Sequence, residues 1–373
     1  MRFLIVSHVV HKRVGSSFFA YGPYVKEMNL WLKYVDEVVI LAPKIEHVSP
    51  DPIDLSYQHQ KITFVEVPEF NLLSWRSRFQ TIFSLPSIFQ KVISEMAKAD
   101  HIHLRCPGNM GLIGTLAQIM FPKKKKTAKY AGNWDPESPQ PLTYKWQRKI
   151  LASQFLTKNI QVLVYGNWGK PNKNLLDFFT ASYSEQEKTP VTPRILQEPL
   201  QLIFVGSLHP GKNPMISCHT VKSLAEKGIV SELHLYGEGS ERRAIEEFIK
   251  SEKLQHQIIL HGNVSSQELK DAYQRSHFLV FASETEGWPK AVAEAMFWGC
   301  LPLTTKVSCV PYMIGNGERG DLVKKDAQEI ADKLHHYLQD RISYTQKSQL
   351  AMDWSRQFTL ERFESEIKKL VVG

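Results

Sequence analysis

Two glutamates eight residues apart, Glu286 and Glu294, are the residues in this sequence best suited to bind a polar ligand. Glu286 follows an apolar run typical of a buried strand. Pro289 suits the first turn of a helix, because the N–H that proline lacks would have no partner there. Glu294 then lies about 8 Å further along that helix. One carboxylate is therefore predicted in a loop at a strand end, and the other on the helix behind it.

The start of this helix, from about Gly287 to Val292, offers backbone N–H groups that have no acceptor inside the helix. Such an end attracts anions through its amides and its dipole. A carboxylate can accept the protons of two neighbouring hydroxyls of a ribose or a hexose. The arrangement suits a molecule with a pyrophosphate between two polyols. Spacing alone leaves an alternative open, in which Glu286 is a loop residue beside a capped surface helix and Glu294 is a solvated helix residue.

The elements that must position this pair alternate between strands and helices. In the second half, strands are predicted at 202–206, 232–237, 257–262, 277–283 and 301–305, and helices at 214–227, 241–252, 266–275 and 289–298. The first half follows the same order more loosely, with strands at 3–7, 37–42, 62–67, 101–105 and 127–132 and a helix at 23–33. This alternation predicts an α/β protein with parallel sheets that carry helices on both faces.

The length of 373 residues suggests two domains. Residues 185–201 hold three prolines and many polar side chains, and we predict that they link the domains. The expected division is 1–185 for the first domain, 186–355 for the second, and 356–373 for a terminal amphipathic helix that packs back on the first. Two doubly wound domains facing each other leave a cleft at their strand ends, where ligands of this fold class bind.

Composition restricts the class of protein further. The sequence contains no run of eighteen apolar residues, so it predicts no membrane-spanning helix. The first residues lack a signal-peptide pattern. None of the four cysteines forms a C-x-x-C motif, so we expect reduced thiols in a cytosolic protein.

The net charge of +8 is unevenly distributed. Residues 1–200 carry 25 lysines and arginines against 16 acidic residues, whereas residues 201–373 carry 21 against 22. A basic first half favours an anionic partner, either a phospholipid surface, a lipid phosphate or a nucleic acid. The lysine run 123–126 could equally be a solvated loop. The segment 70–85 mixes aromatic residues with arginines, which fits a membrane or lipid-linked acceptor, or a core-facing helix with snorkelling arginines.

The glutamate segment resembles the E-x7-E signature of retaining glycosyltransferases of the GT-B fold, in the large family numbered four. The match includes Ser283, the Gly-Trp-Pro after Glu286, the Ala-Met after Glu294, and then Gly299 and Pro302. Further stretches follow in the family's order and spacing: Phe204-Val-Gly206-Ser207-Leu208 with Lys212, Leu235-Tyr-Gly237-Glu-Gly239, and His261-Gly262-Asn263-Val264. The resemblance covers most of residues 200–325. Stretches 24–31 and 131–136 are more weakly similar to bacterial members that build surface polysaccharides.

The resemblance implies the GT-B architecture, two doubly wound Rossmann-like domains facing a cleft, and a role for each matched residue. The implied catalytic residues are Lys212, which would neutralise the departing diphosphate, and Glu286, which would contact the transferred sugar. Glu294 would hold the donor ribose. The other implied donor-binding residues are Gly206, Ser207, Gly237, Gly262, Asn263, Val264, Gly287, Trp288, Pro289, Lys290, Ala291 and Val292.

Ser207 departs from the family pattern, because many members have an arginine at this position. The absence of this arginine removes a fixed cation from the phosphate site. Either Lys212 and the helix amides suffice there, or Lys290 or Arg105 supplies the charge.

We expect the first domain to bind the acceptor. Its candidate residues are Gly22, His103, Arg105, Asn133 and Asp135. Gly22 lies near where the family's glycine-rich loop precedes the first helix, and the other four lie at or after the ends of predicted strands. For each polar candidate a purely structural role is the alternative.

The resemblance thus implies a metal-independent, retaining hexosyltransferase. It would transfer a sugar from a UDP- or GDP-linked donor to a hydroxyl of a glycan or lipid-linked acceptor, with no cofactor. Lysine and helix amides would act where other enzymes use magnesium. The alternatives are a non-catalytic nucleotide-sugar-binding module and a nucleic-acid-binding protein, although we expect no nucleic acid partner. We expect a cytoplasmic location, and leave open an additional contact with an anionic membrane at the inner face of the cell membrane.

Overall fold

A computed structural model describes residues 1–46, 48–51, 53–68, 75–168, 172–191 and 194–373, with the side chains of residues 75–83 left out. These residues form two compact units. The first comprises Met1–Phe178 together with Phe363–Gly373, and the second comprises Phe179–Arg362.

The first unit is built on a seven-stranded parallel sheet with a small four-stranded sheet beside it. Its strands are β1 (Arg2–Val6), β2 (His11–Val14), β3 (Ser17–Tyr21), β4 (Glu37–Ala42), β5 (Lys44–Ile45), β6 (Asp54–Ser56), β7 (Ile62–Glu66), β8 (His101–Cys106), β9 (Lys125–Tyr130), β10 (Ile160–Tyr165) and β11 (Leu175–Phe178). Its helices are α1 (Gly22–Leu32), α2 (Trp75–Lys98), α3 (Asn109–Ala117) and α4 (Leu142–Ala152).

The large sheet has the order β11-β10-β9-β8-β1-β4-β7, and the small sheet has the order β5-β2-β3-β6. The central strand β1 is buried from Phe3 to Val6, as expected for a parallel strand covered on both faces by helices. From β1 the chain runs outwards to β4 and β7, then returns to β8 and continues to the other edge. This reversal leaves a crevice beyond the carboxyl ends of β1 and β8.

The second unit has a six-stranded parallel sheet with the order β14-β13-β12-β15-β16-β17. Its strands are β12 (Leu200–Val205), β13 (Ser231–Tyr236), β14 (Ile258–Gly262), β15 (Phe278–Phe281), β16 (Leu301–Thr305) and β17 (Asp321–Val323). Its helices are α5 (Pro214–Glu226), α6 (Arg242–Ser251), α7 (Ser266–Arg275), α8 (Lys290–Phe297), α9 (Val310–Met313), α10 (Ala327–Gln339) and α11 (Arg341–Ser355); α12 (Leu360–Val372) runs on into the residues of the first unit.

Local signals explain several helix starts in this unit. Ser265 and Glu268 form a capping box at the start of α7, in which each side chain bonds the other residue's backbone N–H. Asp326 caps α10 by accepting bonds from two first-turn amides. Pro214 occupies the first position of α5, where no N–H is needed. These contacts set where each helix begins relative to the preceding strand.

Residues 185–191, at the start of the predicted linker, are part of the second unit. Glu185 N–H donates to Glu361 at 2.8 Å, and Thr359 Oγ1 donates to Glu185 Oε1 at 2.7 Å. Arg194 donates to three main-chain carbonyls at the ends of α7 and α8. The described residues of this segment, 185–191 and 194–201, therefore belong to the second unit, which begins at Phe179.

The lysine run 123–126 is largely built into the first unit. Lys124 Nζ donates to two carbonyls around the end of α2, at 2.9 and 2.7 Å, and Lys125 Nζ donates to a carbonyl of α12 at 3.2 Å. Lys126 is 1% exposed, and burial lowers its pKa to about 8. Neither interpretation of the run, an anionic-partner patch or a solvated loop, describes these three lysines.

Two further sequence expectations concern membranes. Residues 70–74 of the aromatic and arginine-rich segment lie outside the described residues, and from Trp75 onwards the segment is the beginning of α2. Within the described part of the chain, no helix is both long and apolar enough to cross a bilayer.

Candidate functional site

The loops that follow β12 and β15 meet at the point where the strand order of the second sheet reverses. Lys212 ends a short 3-10 turn after β12, and Glu286 lies in the loop after β15. Lys212 Nζ donates a hydrogen bond to Glu286 Oε1, and the two side chains are 22% and 9% exposed. The ammonium group also lies 5.4 Å from the ring centroid of Phe281. The two predicted catalytic residues are thus brought into direct contact.

Hydrogen bonds between the same two loops hold this ion pair in place. Glu284 N–H donates to Gly211 O at 2.9 Å, and Asn213 Nδ2 donates to Ala282 O at 2.8 Å. Asn213 has a left-handed backbone with φ of +50°, a conformation that asparagine tolerates better than most residues. Lys212 and Glu286 are therefore positioned by main-chain contacts on both sides.

Glycines let the neighbouring strand-end loops approach closely. A Cβ on Gly237, whose φ is +133°, would lie 2.0 Å from Gly206 O. Gly237 N–H in turn donates to Gly262 O at 2.8 Å. The loops after β12, β13 and β14 therefore lie side by side. Beside these glycines, Ser207 and Asn263 are exposed and Val264 is half-buried.

The helix α8 begins one residue later than predicted, because Pro289 precedes it as the N-cap. The N–H of Val292 donates to Pro289 O at 3.1 Å, so this amide is already engaged. Helix geometry leaves the amides of Lys290 and Ala291 without an acceptor inside the helix. Gly287 just upstream accepts bonds through its carbonyl from Ser308 and Cys309. The predicted helix start is present, and its binding of an anion through these amides stays a prediction.

Trp288 has a packing role for its side chain. The indole is 7% exposed and stacks on Trp354 with ring centroids 6.2 Å apart. It also meets Phe358 edge-on at 5.6 Å. Only the backbone of Trp288 is suited to the donor contact that the sequence predicts.

Glu294 faces two hydroxyl groups that the sequence did not single out. Ser182 Oγ donates to Glu294 Oε1 at 2.5 Å, and Tyr273 Oη donates to Glu294 Oε2 at 3.3 Å. Tyr273 is fully buried, and burial together with the Glu294 charge raises the pKa of its phenol well above the usual value. The carboxylate is therefore held in one orientation. Tyr273 could have been suspected as a large polar residue on the inner face of a predicted helix, but Ser182 offered no such signal.

Arg105 lies in β8 of the first unit and is directed towards a carboxylate. Its guanidinium approaches Glu27 Oε1 at 3.8 Å and lies 5.2 Å from the ring centroid of Tyr24. Glu27 Oε1 is also 3.5 Å from Nζ of Lys129, which is wholly buried. The side chain of Arg105 is 16% exposed. Its predicted contact with an acceptor stays a prediction.

His103 does not fit the predicted acceptor contact. It lies inside β8 rather than at its end, and it is wholly buried. Its Nδ1 bonds Thr127 Oγ1 at 2.9 Å, and its ring stacks on Phe3 and lies tilted against Trp31. Burial holds the pKa of His103 well below its ordinary value. The sequence predicts His103 near a strand end, where a side chain can face either the crevice or the core. Side chains alternate between the two faces of a strand, and that of His103 points into the core.

The other acceptor candidates take part in local structure. Asn133 Oδ1 accepts from Asp135 N–H at 2.9 Å, and Asp135 Oδ1 accepts from Glu137 N–H at 2.9 Å, so both close turns after β9. Gly22 begins α1, where a Cβ would lie 2.1 Å from Ile53 O. That close approach requires glycine at this position irrespective of any ligand.

Metal-binding side chains and cysteine thiols are two further groups that could do chemistry in this protein. In the described ranges, no three or more His, Cys, Asp and Glu side chains are grouped to hold a metal ion. The four cysteines are all buried and unbridged, and burial raises the pKa of each thiol to about 12. None of them is a ready nucleophile.

Part of the chain is similar to a known protein family. Residues 185–354 match the model of the family described as Glycosyl transferases group 1. No curated protein matches the chain. The matched residues lie within the second unit, which is therefore similar to a group 1 glycosyl transferase domain.

Solved structures share the whole architecture. HepE from Anabaena, in complex with UDP and glucose, has a TM-score of 0.67 at 12% identity, covering 100% of this chain and 99% of that one. Sucrose-phosphate synthase from Thermosynechococcus elongatus has a TM-score of 0.66 at 16% identity, with coverage of 99% and 98%. A glycosyltransferase from Rickettsia africae has a TM-score of 0.64 at 14% identity, with the same coverage. The chain has the GT-B fold of these proteins, with two Rossmann-like domains.

Proposed function

We propose that this chain is a retaining glycosyltransferase that moves a hexose from a UDP- or GDP-linked donor to a hydroxyl of a glycan or lipid-linked acceptor. The observation that carries the proposal is the ion pair of Lys212 and Glu286 at the strand reversal of the second sheet. Ligands of doubly wound sheets bind at such reversals. The pair also lies inside the segment that matches a glycosyl transferase family model.

The proposed donor site extends from this pair along α8. The outward amides of Lys290 and Ala291 suit the donor diphosphate, because a helix start attracts anions. Glu294 would accept hydrogen bonds from the ribose hydroxyls, and Glu286 from the transferred sugar. A donor that enters between the loops would exchange the mutual contact of Lys212 and Glu286 for contacts with its phosphate and its sugar.

The proposed reaction balances without an added reagent. The acceptor oxygen bonds the anomeric carbon on the face from which the diphosphate leaves, and the bond from that carbon to the phosphate oxygen breaks. The electron pair stays on the diphosphate, and the proton of the acceptor hydroxyl moves to a phosphate oxygen. Lys212 stabilises the charge that develops there. We propose that this lysine and the helix amides act without a metal or other cofactor.

The surroundings of Ser207 indicate which group could replace the arginine that many members of the family have at this position. Ser207 is exposed beside Gly206, and Lys212 is the cation that the same loop supplies to the strand reversal. We therefore propose that Lys212, with the amides of α8, provides the positive charge of the diphosphate site. The first unit is the proposed acceptor-binding unit, with Arg105 as its best-placed candidate.

Donor binding and transfer are tested separately. A thermal-shift screen against UDP, GDP, ADP and their sugars should identify the base, because a ligand of the native state raises its apparent stability. The selected donor is then incubated with glycan and lipid-linked acceptors, and nucleoside diphosphate release and product mass are followed.

Nuclear magnetic resonance of the product should show the anomeric configuration of the donor. An inverted product would refute the retaining mechanism. A donor that binds tightly but is neither transferred nor hydrolysed would refute the enzyme and favour the non-catalytic binding module.

A further inference from the structure

Residues 101–176 hold the excess positive charge of the chain. They contain 12 lysines and arginines against two acidic residues, whereas the rest of the chain contains 34 against 36. In the fold, this stretch runs from β8 through β10 and includes α3 and α4. From 138 to 176 it has no acidic residue at all. The charge asymmetry is therefore a property of one side of the first unit.

The outer face of α4 combines lysines with large apolar side chains. Leu142 is 69% exposed and Trp146 is 58% exposed. Their spacing of four residues places them on one side of the helix, with Lys145 and Lys149 flanking them. The opposite side of the helix carries the buried residue Leu151. The helix thus packs by one face and presents an apolar and basic face to solvent.

The loop after α4 continues this pattern. Phe155 is 83% exposed and Leu156 is 39% exposed, and Lys158 follows them. The loop is tied to the turn after α3 by a bond from the side chain of Gln118 to Thr157 Oγ1 at 2.8 Å. That turn exposes Met120 at 61%. We call Leu142, Lys145, Trp146, Lys149, Phe155, Leu156 and Lys158 the α4 surface.

We propose that the α4 surface docks on a lipid bilayer with anionic headgroups. Its apolar side chains would enter the interface, where tryptophan in particular is favoured. Its lysines would pair with anionic lipids, each contributing favourably near the surface. Charge complementarity and the exposed apolar side chains point to the same partner, because large exposed apolar surfaces of soluble proteins mark interaction sites.

Other occupants fit the surface less well. A nucleic acid would use the lysines and could stack its bases on the aromatic rings, but it offers nothing to the exposed leucines. A second copy of the chain would bring the same positive charges together. The α4 surface lies apart from the segment 70–85 that the sequence suggested for membrane contact, and it does not depend on the proposed transfer reaction.

The test is co-sedimentation of the full chain with vesicles. The wild type should bind vesicles of equal phosphatidylglycerol and phosphatidylcholine, bind phosphatidylcholine alone weakly, and dissociate as salt increases. Lys145→Gln with Lys149→Gln should lower the partition coefficient about 30-fold, the equivalent of about 1 kcal/mol per lysine. Trp146→Ser with Phe155→Ser should lower binding at least tenfold at low and high salt.

A matched control removes the same types of exposed side chain from the second unit. Ile342 is 72% exposed on α11, and Lys250 is exposed at the end of α6. Ile342→Ser with Lys250→Gln should bind vesicles as the wild type does. Thermal unfolding of all variants should match the wild type, because the altered side chains are on the surface.

Three outcomes would overturn the proposal. The first is wild-type binding by both α4-surface variants, or no binding to anionic vesicles by the wild type. The second is binding of duplex DNA or RNA through the same residues without vesicle binding. The third is a concentration-dependent dimer that the Trp146 and Phe155 variant loses, again without vesicle binding.

Discussion

Lys212 and Glu286 are 74 residues apart in the chain, yet they form the closest contact of oppositely charged groups at the second sheet's strand reversal. Each is partly screened from water, so their mutual attraction is stronger than that of an exposed pair. The hydroxyls of Ser182 and Tyr273 orient Glu294 in a similar way. At the scale of the residue, the charged groups of the candidate site are held in position by their contacts with neighbouring residues.

Replacing Lys212 by methionine tests the role of its charge. We expect kcat for sugar transfer to fall by about 10²–10³-fold, because removing one donor aimed at a developing negative charge has effects of this size. Nucleoside diphosphate release at saturating donor measures it.

Lys325→Met is the matched control, since Lys325 pairs with exposed Glu284 close by at 2.7 Å. It should leave kcat unchanged. Equal losses in the two variants would indicate a general effect of charge and would rule out a specific role for Lys212.

Replacing Glu294 by glutamine tests the proposed ribose contact. We expect about 10–100-fold weaker donor binding, since a hydrogen bond to a charged group contributes about 1.5–3 kcal/mol. Titration calorimetry with the nucleotide found in the screen measures the change.

Tyr273→Phe should weaken donor binding less, because it removes an orienting contact at 3.3 Å and leaves the carboxylate in place. Glu284→Gln serves as the control on an exposed carboxylate. If Glu294→Gln binds the donor like the wild type, the ribose assignment is wrong.

At the scale of the element, the strand-end loops of the second unit depend on glycine. Gly206, Gly237 and Gly262 follow three neighbouring strands, and all three have positive φ. At Gly237 the main chain of the adjacent loop is so close that a Cβ would lie 2.0 Å from Gly206 O. The close approach of the loops after β12 and β13 is thus a consequence of backbone packing, which glycine alone permits at this distance.

Gly237→Ala should destabilise the protein by at least about 2 kcal/mol more than Gly228→Ala. Both glycines have positive φ, +133° and +74°, so both variants carry the cost of an unfavourable backbone conformation. Only Gly237 adds a clash, because its Cβ would lie 2.0 Å from Gly206 O, whereas Gly228 has nothing within 4 Å. Urea unfolding measures the difference, and equal destabilisation would contradict the close approach of the two loops.

At the scale of the whole molecule, the first unit buries more histidine than the second, in which His277 is 6% exposed and burial lowers its pKa to about 4. The core of the first unit contains His11, His101 and His103, all wholly buried. Burial lowers the pKa of His11 to about 4 and that of His101 to about 3, and lowers that of His103 well below its usual range. These side chains are neutral in the folded unit at neutral pH, and they gain protons only when the unit opens.

Acid should therefore destabilise the first unit more steeply than the second. The folded-state pKa values lie below the unfolded value of about 6.5, so unfolding takes up protons. Stability is complete above about pH 6.5 and falls as the pH decreases towards 4. Each histidine contributes about 1.4 kcal/mol per pH unit within this window, or about 4 kcal/mol per pH unit for three.

Urea unfolding of the full chain between pH 4.5 and 7.5, monitored by hydrogen exchange in each unit, measures this slope. His101→Gln should reduce it by about one third. A flat profile would show that these histidines are accessible to protons in the folded state.

Much of the architecture follows from patterns that are local in the chain. The predicted helix at 266–275 and the strand at 301–305 agree with α7 and β16 at both ends, because a capping box and a short apolar run are signals within one element. The strand Glu37–Ala42 agrees as well. The small four-stranded sheet of the first unit, in which β2 and β5 are parallel and the other pairs antiparallel, and α4 were not predicted, since their patterns are short or irregular. A helix over the segment that begins α2 was predicted only as an alternative to membrane contact.

The sequence by itself determined the alternation of strands and helices, the parallel sheets, and the pairing of Lys212 with the glutamate loop as a candidate site. Only the tertiary structure decided that His103 lies in the core and that Ser182 and Tyr273 orient Glu294. It also decided that the ammonium groups of lysines 124–126 donate hydrogen bonds to main-chain carbonyls. The physical reason is the distance along the chain over which each feature is determined. Helix starts and strand runs depend on residues within a few positions, whereas burial and side-chain partners depend on which distant segments pack together.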